Sequence, residues 1–223
     1  MLKQVKSSRK KEEGRRKKEI IKLLLYVFGY CPINLKELFN TKNGYTPSKS
    51  NADYWNSYDI PWFRIEDIRE NGRILDKAIK GVSNNAIKGS PFPANSFIIS
   101  TSATIGEYAL ITSEFLCNQR FTCLMIKDEY KDLFNTKFLY YYCHKLAVYC
   151  KNSTKQGNFA SVDMTKFNNF EFQIIPLEKQ EKIVAILDKF DSLCNDLEAG
   201  LPAEIEARER QYEYYRDKLL TFK

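Results

Sequence analysis

PANSFIISTSATIGEYALITSEFLCNQRFTCLMI, residues 93–126, is the stretch that decides the fold class. Three short apolar runs, PANSFIIST, EYALIT and FTCLMI, are set among hydroxyl-rich or turn-forming segments. Runs of this length, rich in Ile, Phe, Tyr and Thr and bounded by polar punctuation, read as strands. The same texture extends upstream through NLKELFN, IPWFRI and RENGRI. Asn43-Gly44, Asn71-Gly72 and Pro91-Phe92-Pro93 mark turns, because glycine supplies positive φ and proline fixes its own. The charge run IEDIRENGR, residues 65–73, reads as a solvated turn. One helix is predicted inside this region, over residues 136–151, where Phe138, Tyr141, Tyr142, Lys145, Leu146 and Tyr149 fall at helical spacing. Residues 31–175 are therefore expected to form a strand-rich, loop-rich domain of α+β class.

At Pro176 the texture changes. Ile183, Ile186, Leu187, Phe190, Leu193, Cys194 and Leu197 recur at three-four spacing, which predicts a long amphipathic helix. Glu178, Lys179, Glu181 and Lys182 place its first turns in solvent. Gly200 and Pro202 stop it, and a second helix follows from Ala203 with Ile205, Tyr212, Tyr215 and Leu219 as its apolar stripe. Two helices joined by so short a turn form an antiparallel, coiled-coil-like hairpin over residues 176–223, with faces suited to packing or dimerisation.

The first 30 residues are a basic arm. Residues 1–22 hold ten Lys or Arg against Glu12, Glu13 and Glu19, a surplus of +7, so the other 201 residues sum to zero. Such an arm suits a polyanion, either nucleic acid or an acidic membrane. Residues 12–29 predict a helix with Ile20, Ile21, Leu24, Val27 and Phe28 on one face. The basic-then-apolar order resembles a signal peptide. Against that, the basic region contains glutamates, no small-x-small cleavage site follows, and bulky Tyr30 precedes Cys31. The apolar run is also too short to span a bilayer.

Six cysteines show no CxxC pair, and the single histidine, His144, leaves a zinc set to scattered thiolates. Reduced thiols in a cytoplasmic protein are the expectation. GxxxxGK, GxGxxG and GxSxG are all absent, as is the (N/D)PP(Y/F) tetrapeptide of amino-methyltransferases. Nothing in the sequence reads as an active site. What remains is polar loop chemistry, in KNGYTPSKSNADYWN (42–56), STSATIG (100–106), CNQRF (117–121) and NSTKQGN (152–158). Lysines and hydroxyls contact phosphate, while Asn, Gln, Ser, Thr and Arg read base edges. Each loop taken alone is also what an ordinary surface looks like.

Together these segments carry a resemblance. GYTPSKSNADYWNSYDIPWFRIEDIRENGRI, SPFPANSFIISTSATIGEYALIT and FLCNQRFTCL resemble the target recognition domain of type I restriction-modification specificity subunits. The segment from IIPLEKQ to KLLTF resembles the helical region that follows such a domain in that family.

The resemblance implies recognition of one part of a split double-stranded DNA target in the major groove. Helices would serve as a ruler and as the dock for methyltransferase (modification) subunits, beside a motor-nuclease (restriction) subunit. It implies a non-catalytic chain with no cofactor of its own; S-adenosylmethionine, ATP and Mg would reside in the partners. By loop position and side-chain type, the DNA-binding candidates are Lys42, Asn43, Tyr45, Thr46, Ser48, Lys49, Ser102, Thr104, Gln119, Arg120, Lys155, Gln156 and Asn158. Family members usually carry two recognition domains and two helical regions, whereas this sequence shows one of each. A homodimer through the C-terminal helices, or a gene fragment, is the corresponding expectation. The competing expectation is a membrane-attached or scaffolding coiled-coil protein without DNA specificity, held on an acidic surface by its basic N-terminus.

Overall fold

The computed structural model describes residues 12, 16–25, 27–155, 160–197 and 202–221. The chain divides into two compact units, one of Asn34–Lys127 with Tyr142–Glu171, the other of Met1–Ile33, Asp128–Tyr141 and Phe172–Lys223. Its class is α+β, with a strand-rich portion and a long helical hairpin.

The first unit is built on a five-stranded sheet. Its strands are β2 (Phe39–Asn43), β4 (Ile74–Leu75), β6 (Ser96–Ser100), β7 (Tyr108–Ile111) and β9 (Phe121–Ile126), in the order β2-β9-β6-β7-β4. All pairings are antiparallel except β4 with β7. The runs singled out in the sequence are its central strands. SFIIS and YALI are buried at every position, as expected of strands covered on both faces. A three-stranded sheet of β5 (Gly81–Val82), β3 (Ile60–Phe63) and β8 (Leu116–Cys117) completes the frame. Phe63 of β3 meets Phe115 edge to face, with ring centroids 5.8 Å apart, inside a core shared with Ile98, Ile111 and Phe121.

Two local expectations need correction. IEDIRENGR is not a solvated turn: Ile65–Asn71 is a helix, α3, and Asp67 within it is fully buried. Ile65 and Ile68 drive one face into the core. The Asp67 carboxylate sits at the helix N-terminus, where it accepts from the backbone N–H of Arg64 (2.7 Å) and of Ile79 (2.5 Å). Those donors lack helical partners, which explains a buried charge there. NLKELFN, a single apolar run in sequence, is two elements. A one-turn helix, α2 (Leu35–Leu38), leads without a break into β2, with both leucines fully buried.

In the second unit, β1 (Cys31–Asn34) pairs with β12 (Glu171–Ile174). The helices α6 (Leu177–Leu197) and α7 (Pro202–Leu219) form the hairpin. On α6 the buried face is Gln180, Ile183, Val184 and Leu187, while Ile186 and Leu193 lie off it at 41% exposure each. Phe190 stacks on Tyr215 of α7 (5.5 Å, 15°) and meets Tyr212 edge to face. Arg216 is buried with its guanidinium 5.3 Å over the Tyr212 ring, a packing role that its charge does not announce. Leu219 is half-buried beside a buried Leu220, and Leu197 and Ile205 fall within α6 and α7. The N-terminal helix departs from its expected single apolar face. This helix, α1 (residues 16–25), buries Ile21, but Ile20, Val27 and Phe28 are exposed.

In this unit a polar cluster ties the helix α4 (Thr136–Asn152) to α6. The Tyr141 hydroxyl donates to Asp188 at 2.6 Å, and the Lys137 ammonium donates to its second oxygen at 2.7 Å. Burial pushes the neighbouring Asp191 carboxyl above its ordinary value, and the Asp188 charge adds to that. A carboxyl whose folded pKa is raised favours the folded state below its unfolded pKa and loses that contribution as pH rises through the folded value. Asp191→Asn is therefore expected to raise the melting temperature at neutral pH. The gain should shrink toward zero below the ordinary aspartate range, as checked by thermal melts at both pH values.

Candidate nucleic-acid interface

The register of the five-stranded sheet brings separated loops to one end. Asn43 at the close of β2 faces Thr122 at the start of β9, and Ser100 at the close of β6 faces Phe121. The loops after β2 (44–51), after β6 (101–107) and before β9 (118–120) therefore emerge together.

Backbone hydrogen bonds fix them there. Gly44 N–H donates to the Phe121 carbonyl (3.0 Å), Tyr45 N–H to Cys117 (2.8 Å) and Thr101 N–H to Arg120 (3.0 Å). A fourth segment joins through Val162 N–H to the Thr101 carbonyl (2.9 Å). It belongs to the short pair β10 (Thr154–Lys155) and β11 (Ser161–Val162). Side chains link the same loops. Thr122 Oγ1 lies 3.0 Å from both Asn43 Oδ1 and Thr101 Oγ1, and Thr46 Oγ1 donates to Gln119 Oε1 at 2.5 Å.

Of the sequence candidates, Lys42, Asn43, Ser48, Lys49, Gln119 and Arg120 are exposed, and Tyr45, Thr46, Ser102 and Thr104 are half-buried. Lys42 Nζ lies 5.7 Å above the Phe92 ring. The Thr46 bond occupies the Gln119 carbonyl and turns its amide nitrogen into the available donor. Tyr45 is placed differently from the rest. Its hydroxyl donates to the Ala86 carbonyl (3.1 Å) and accepts from Lys88 N–H (2.8 Å), which makes it a strut for the loop. Lys155 lies on β10, and Gln156 and Asn158 fall outside the described residues.

Two residues at this rim had no signal in the sequence, and a third, Asn118, lies in the CNQRF loop but was not among the candidates. Arg73 pairs with Glu107 (3.3 Å) and stacks 4.7 Å over Tyr108, by way of the β4–β7 pairing. Lys88 lies 5.6 Å over Tyr45. Asn118 caps its own turn by accepting from Arg120 N–H at 3.0 Å. Only long-range pairing puts Arg73 and Lys88 beside the others, whereas Asn118 is a chain neighbour of Gln119 and Arg120.

Under the rim the chain is apolar and chemically quiet. Burial pushes the Cys117 and Cys123 thiols well above the ordinary thiol range, so both stay protonated. Gly44 presses so closely on the Cys117–Asn118 backbone that a Cβ there would collide with both carbonyl oxygens and with Cys117 Sγ. His144 meets Tyr108 edge to face at 6.4 Å. Among the described residues no group of three or more His, Cys, Asp or Glu is placed to hold a metal. The arrangement presents cations, hydroxyls and amides on a rigid edge.

A family model described as the type I restriction modification DNA specificity domain matches residues 29–207. The chain is 52% identical over 200 residues to the type I restriction enzyme EcoprrI specificity subunit of Escherichia coli, covering 85% of this chain and 49% of that protein. It is 33% identical over 198 residues to the EcoR124I/EcoR124II specificity subunit of the same organism, covering 84% and 47%. The chain thus spans about half the length of these curated relatives. Its fold matches that of the HsdS subunit from Thermoanaerobacter tengcongensis with a TM-score of 0.59 at 18% identity, over 98% of this chain and 55% of that one.

Proposed function

The chain belongs to the family of type I restriction-modification DNA specificity domains, and from that premise we propose that its rim reads one part of a split duplex target in the major groove. One observation carries the reading. Four segments are tied to one end of one sheet, and two of them, β2 with its following loop and the turn before β9, carry the exposed Lys42, Lys49, Gln119 and Arg120. Lysines at such an edge hold phosphates and set the register, while Gln and Arg form paired hydrogen bonds to base edges. The chain supplies recognition, and the chemistry belongs to partners: modification subunits with S-adenosylmethionine and a restriction subunit using ATP and Mg. Docking on α6 and α7 fits their exposed apolar residues, Ile186, Leu193 and Tyr214. Among the described residues no helix is long and apolar enough to cross a membrane, and nothing on the rim favours a scaffolding role instead.

A split target has a second part, and a second copy of the chain paired through the hairpin would supply its reader. Two-fold symmetry would then require inverted half-sites. The 21 residues of α6 span ~32 Å at 1.5 Å each, close to one turn of duplex.

Selection from a random duplex pool, followed by anisotropy titration, tests the reading. Lys42→Ala and Lys49→Ala should each weaken binding to every sequence and reduce the salt slope by about 1. Gln119→Ala and Arg120→Ala should instead lower discrimination at one base position by ~1–3 kcal/mol. Binding without any preferred sequence would sink the proposal.

A further inference from the structure

The turn before β9 keeps its acceptors for its own chain. Asn118 Oδ1 accepts from Arg120 N–H (3.0 Å), and the Asn118 carbonyl accepts from Phe121 N–H (3.2 Å). The Arg120 carbonyl accepts from Thr101 N–H (3.0 Å), and Gln119 Oε1 accepts from Thr46 Oγ1 (2.5 Å). Gln119 and Arg120 are exposed, and among the described residues no partner takes up Gln119 Nε2 or the Arg120 guanidinium. What the two side chains offer outward is therefore N–H donors. We infer that this turn selects a guanine in the target, and that Thr46 enforces the choice by holding the Gln119 carbonyl. The inference rests on the DNA-reading role proposed above and deepens it by naming the base.

The chemistry of the base edges decides the assignment. In the major groove guanine presents two acceptors, N7 and O6, whereas adenine presents an acceptor beside an amino donor and cytosine an amino donor. A glutamine with both ends free pairs with adenine, its oxygen taking the amino hydrogen and its nitrogen giving to N7. With Oε1 turned to Thr46, Gln119 brings an N–H to a place where adenine also brings one, and two desolvated donors are left facing each other. Guanine accepts at both atoms. Arg120 favours the same base, since a guanidinium has donors and no acceptor. Thymine offers the single acceptor O4 with a methyl group beside it. Thr46 is thus a positioning residue, acting through Gln119 rather than on the base.

The test uses the full chain and the sequence selected from a random duplex pool. Wild type, Gln119→Ala, Thr46→Val and Thr46→Ser are titrated against that duplex and against duplexes altered one base pair at a time. Loss of preference in Gln119→Ala marks the position that the turn reads, and it should be a G·C pair. Replacing its guanine by 7-deazaguanine, which lacks the N7 acceptor, should weaken wild-type binding roughly 10-fold. Thr46→Val keeps the side-chain shape without the hydroxyl. It should cut the preference for G·C over A·T at that position by about 10-fold and leave the other positions unchanged, while Thr46→Ser keeps the preference. An A·T pair at the Gln119-dependent position overturns the inference, as does indifference to 7-deazaguanine or to Gln119→Ala. Equal weakening at every position in Thr46→Val, without rescue by serine, overturns the role of Thr46. A wild type with no preferred sequence refutes the rim reading itself, and the guanine assignment with it.

Discussion

Gln180→Ala is expected to destabilise the protein by about 3 to 5 kcal/mol, one of the largest single effects in the molecule. Gln180 is fully buried near the start of α6, on a turn whose neighbours Lys179 and Glu181 are exposed. Its amide is completely used. The nitrogen donates to the carbonyls of Leu133 (2.8 Å) and Ile175 (2.7 Å), and the oxygen accepts from Asn135 N–H (2.8 Å). Alanine leaves three backbone groups without partners in a dry site, each costing about 1–3 kcal/mol, besides the cavity. Urea unfolding should show a large fall in midpoint with an unchanged slope. A shift under about 1 kcal/mol would mean that water enters and replaces the amide.

Gly44→Ala should produce the second large effect, and it should reach function as well as stability. Because the new methyl would meet the Cys117 and Asn118 carbonyls, the loop after β2 must lift away from the β8–β9 turn. Backbone collisions of that kind cost about 1–3 kcal/mol. Lifting breaks the Gly44–Phe121 and Tyr45–Cys117 hydrogen bonds and pulls Thr46 from Gln119. Binding to the selected target should fall by ~10-fold or more, while binding to random duplex changes little, since the lysines remain. Equal losses on both duplexes would show that the loop does not position the reading groups.

The elements driven by local pattern were legible in the sequence. PANSFIIST, EYALIT and FTCLMI each hold a strand, and the helices expected over residues 136–151 and after Pro176 form as α4 and α6, because apolar spacing alone selects them. The misread elements depend on contacts that form only when the chain folds, some of them local and some distant. Asp67 looked like part of a solvated run because its donors, Arg64 N–H and Ile79 N–H, meet it only after folding. Gln180 hid among charges because two of its partners, Leu133 and Asn135, lie more than forty residues away. Ile20, Val27 and Phe28 looked like one face with Ile21, yet only Ile21 is buried, since periodicity reports that a face exists but not which part finds cover. At the rim, loop residues could be nominated by chemistry. Their convergence could not, because β2 and β9 are paired across some eighty residues of chain.

The manner in which the rim is tied has a consequence for how such proteins diversify. The bonds that hold its loops, from Gly44 N–H to Phe121, Thr101 N–H to Arg120 and Val162 N–H to Thr101, are made by main chain, which is indifferent to the side chains it carries. Exposed positions such as Lys49 and Arg120 can therefore take many residue types at little cost in stability. If the rim reads DNA as proposed, new sequence preferences are open to single substitutions on an unchanged frame. The buried positions under them, Gly44 and Cys117 among them, leave no such room, because a single added methyl at Gly44 already meets main chain.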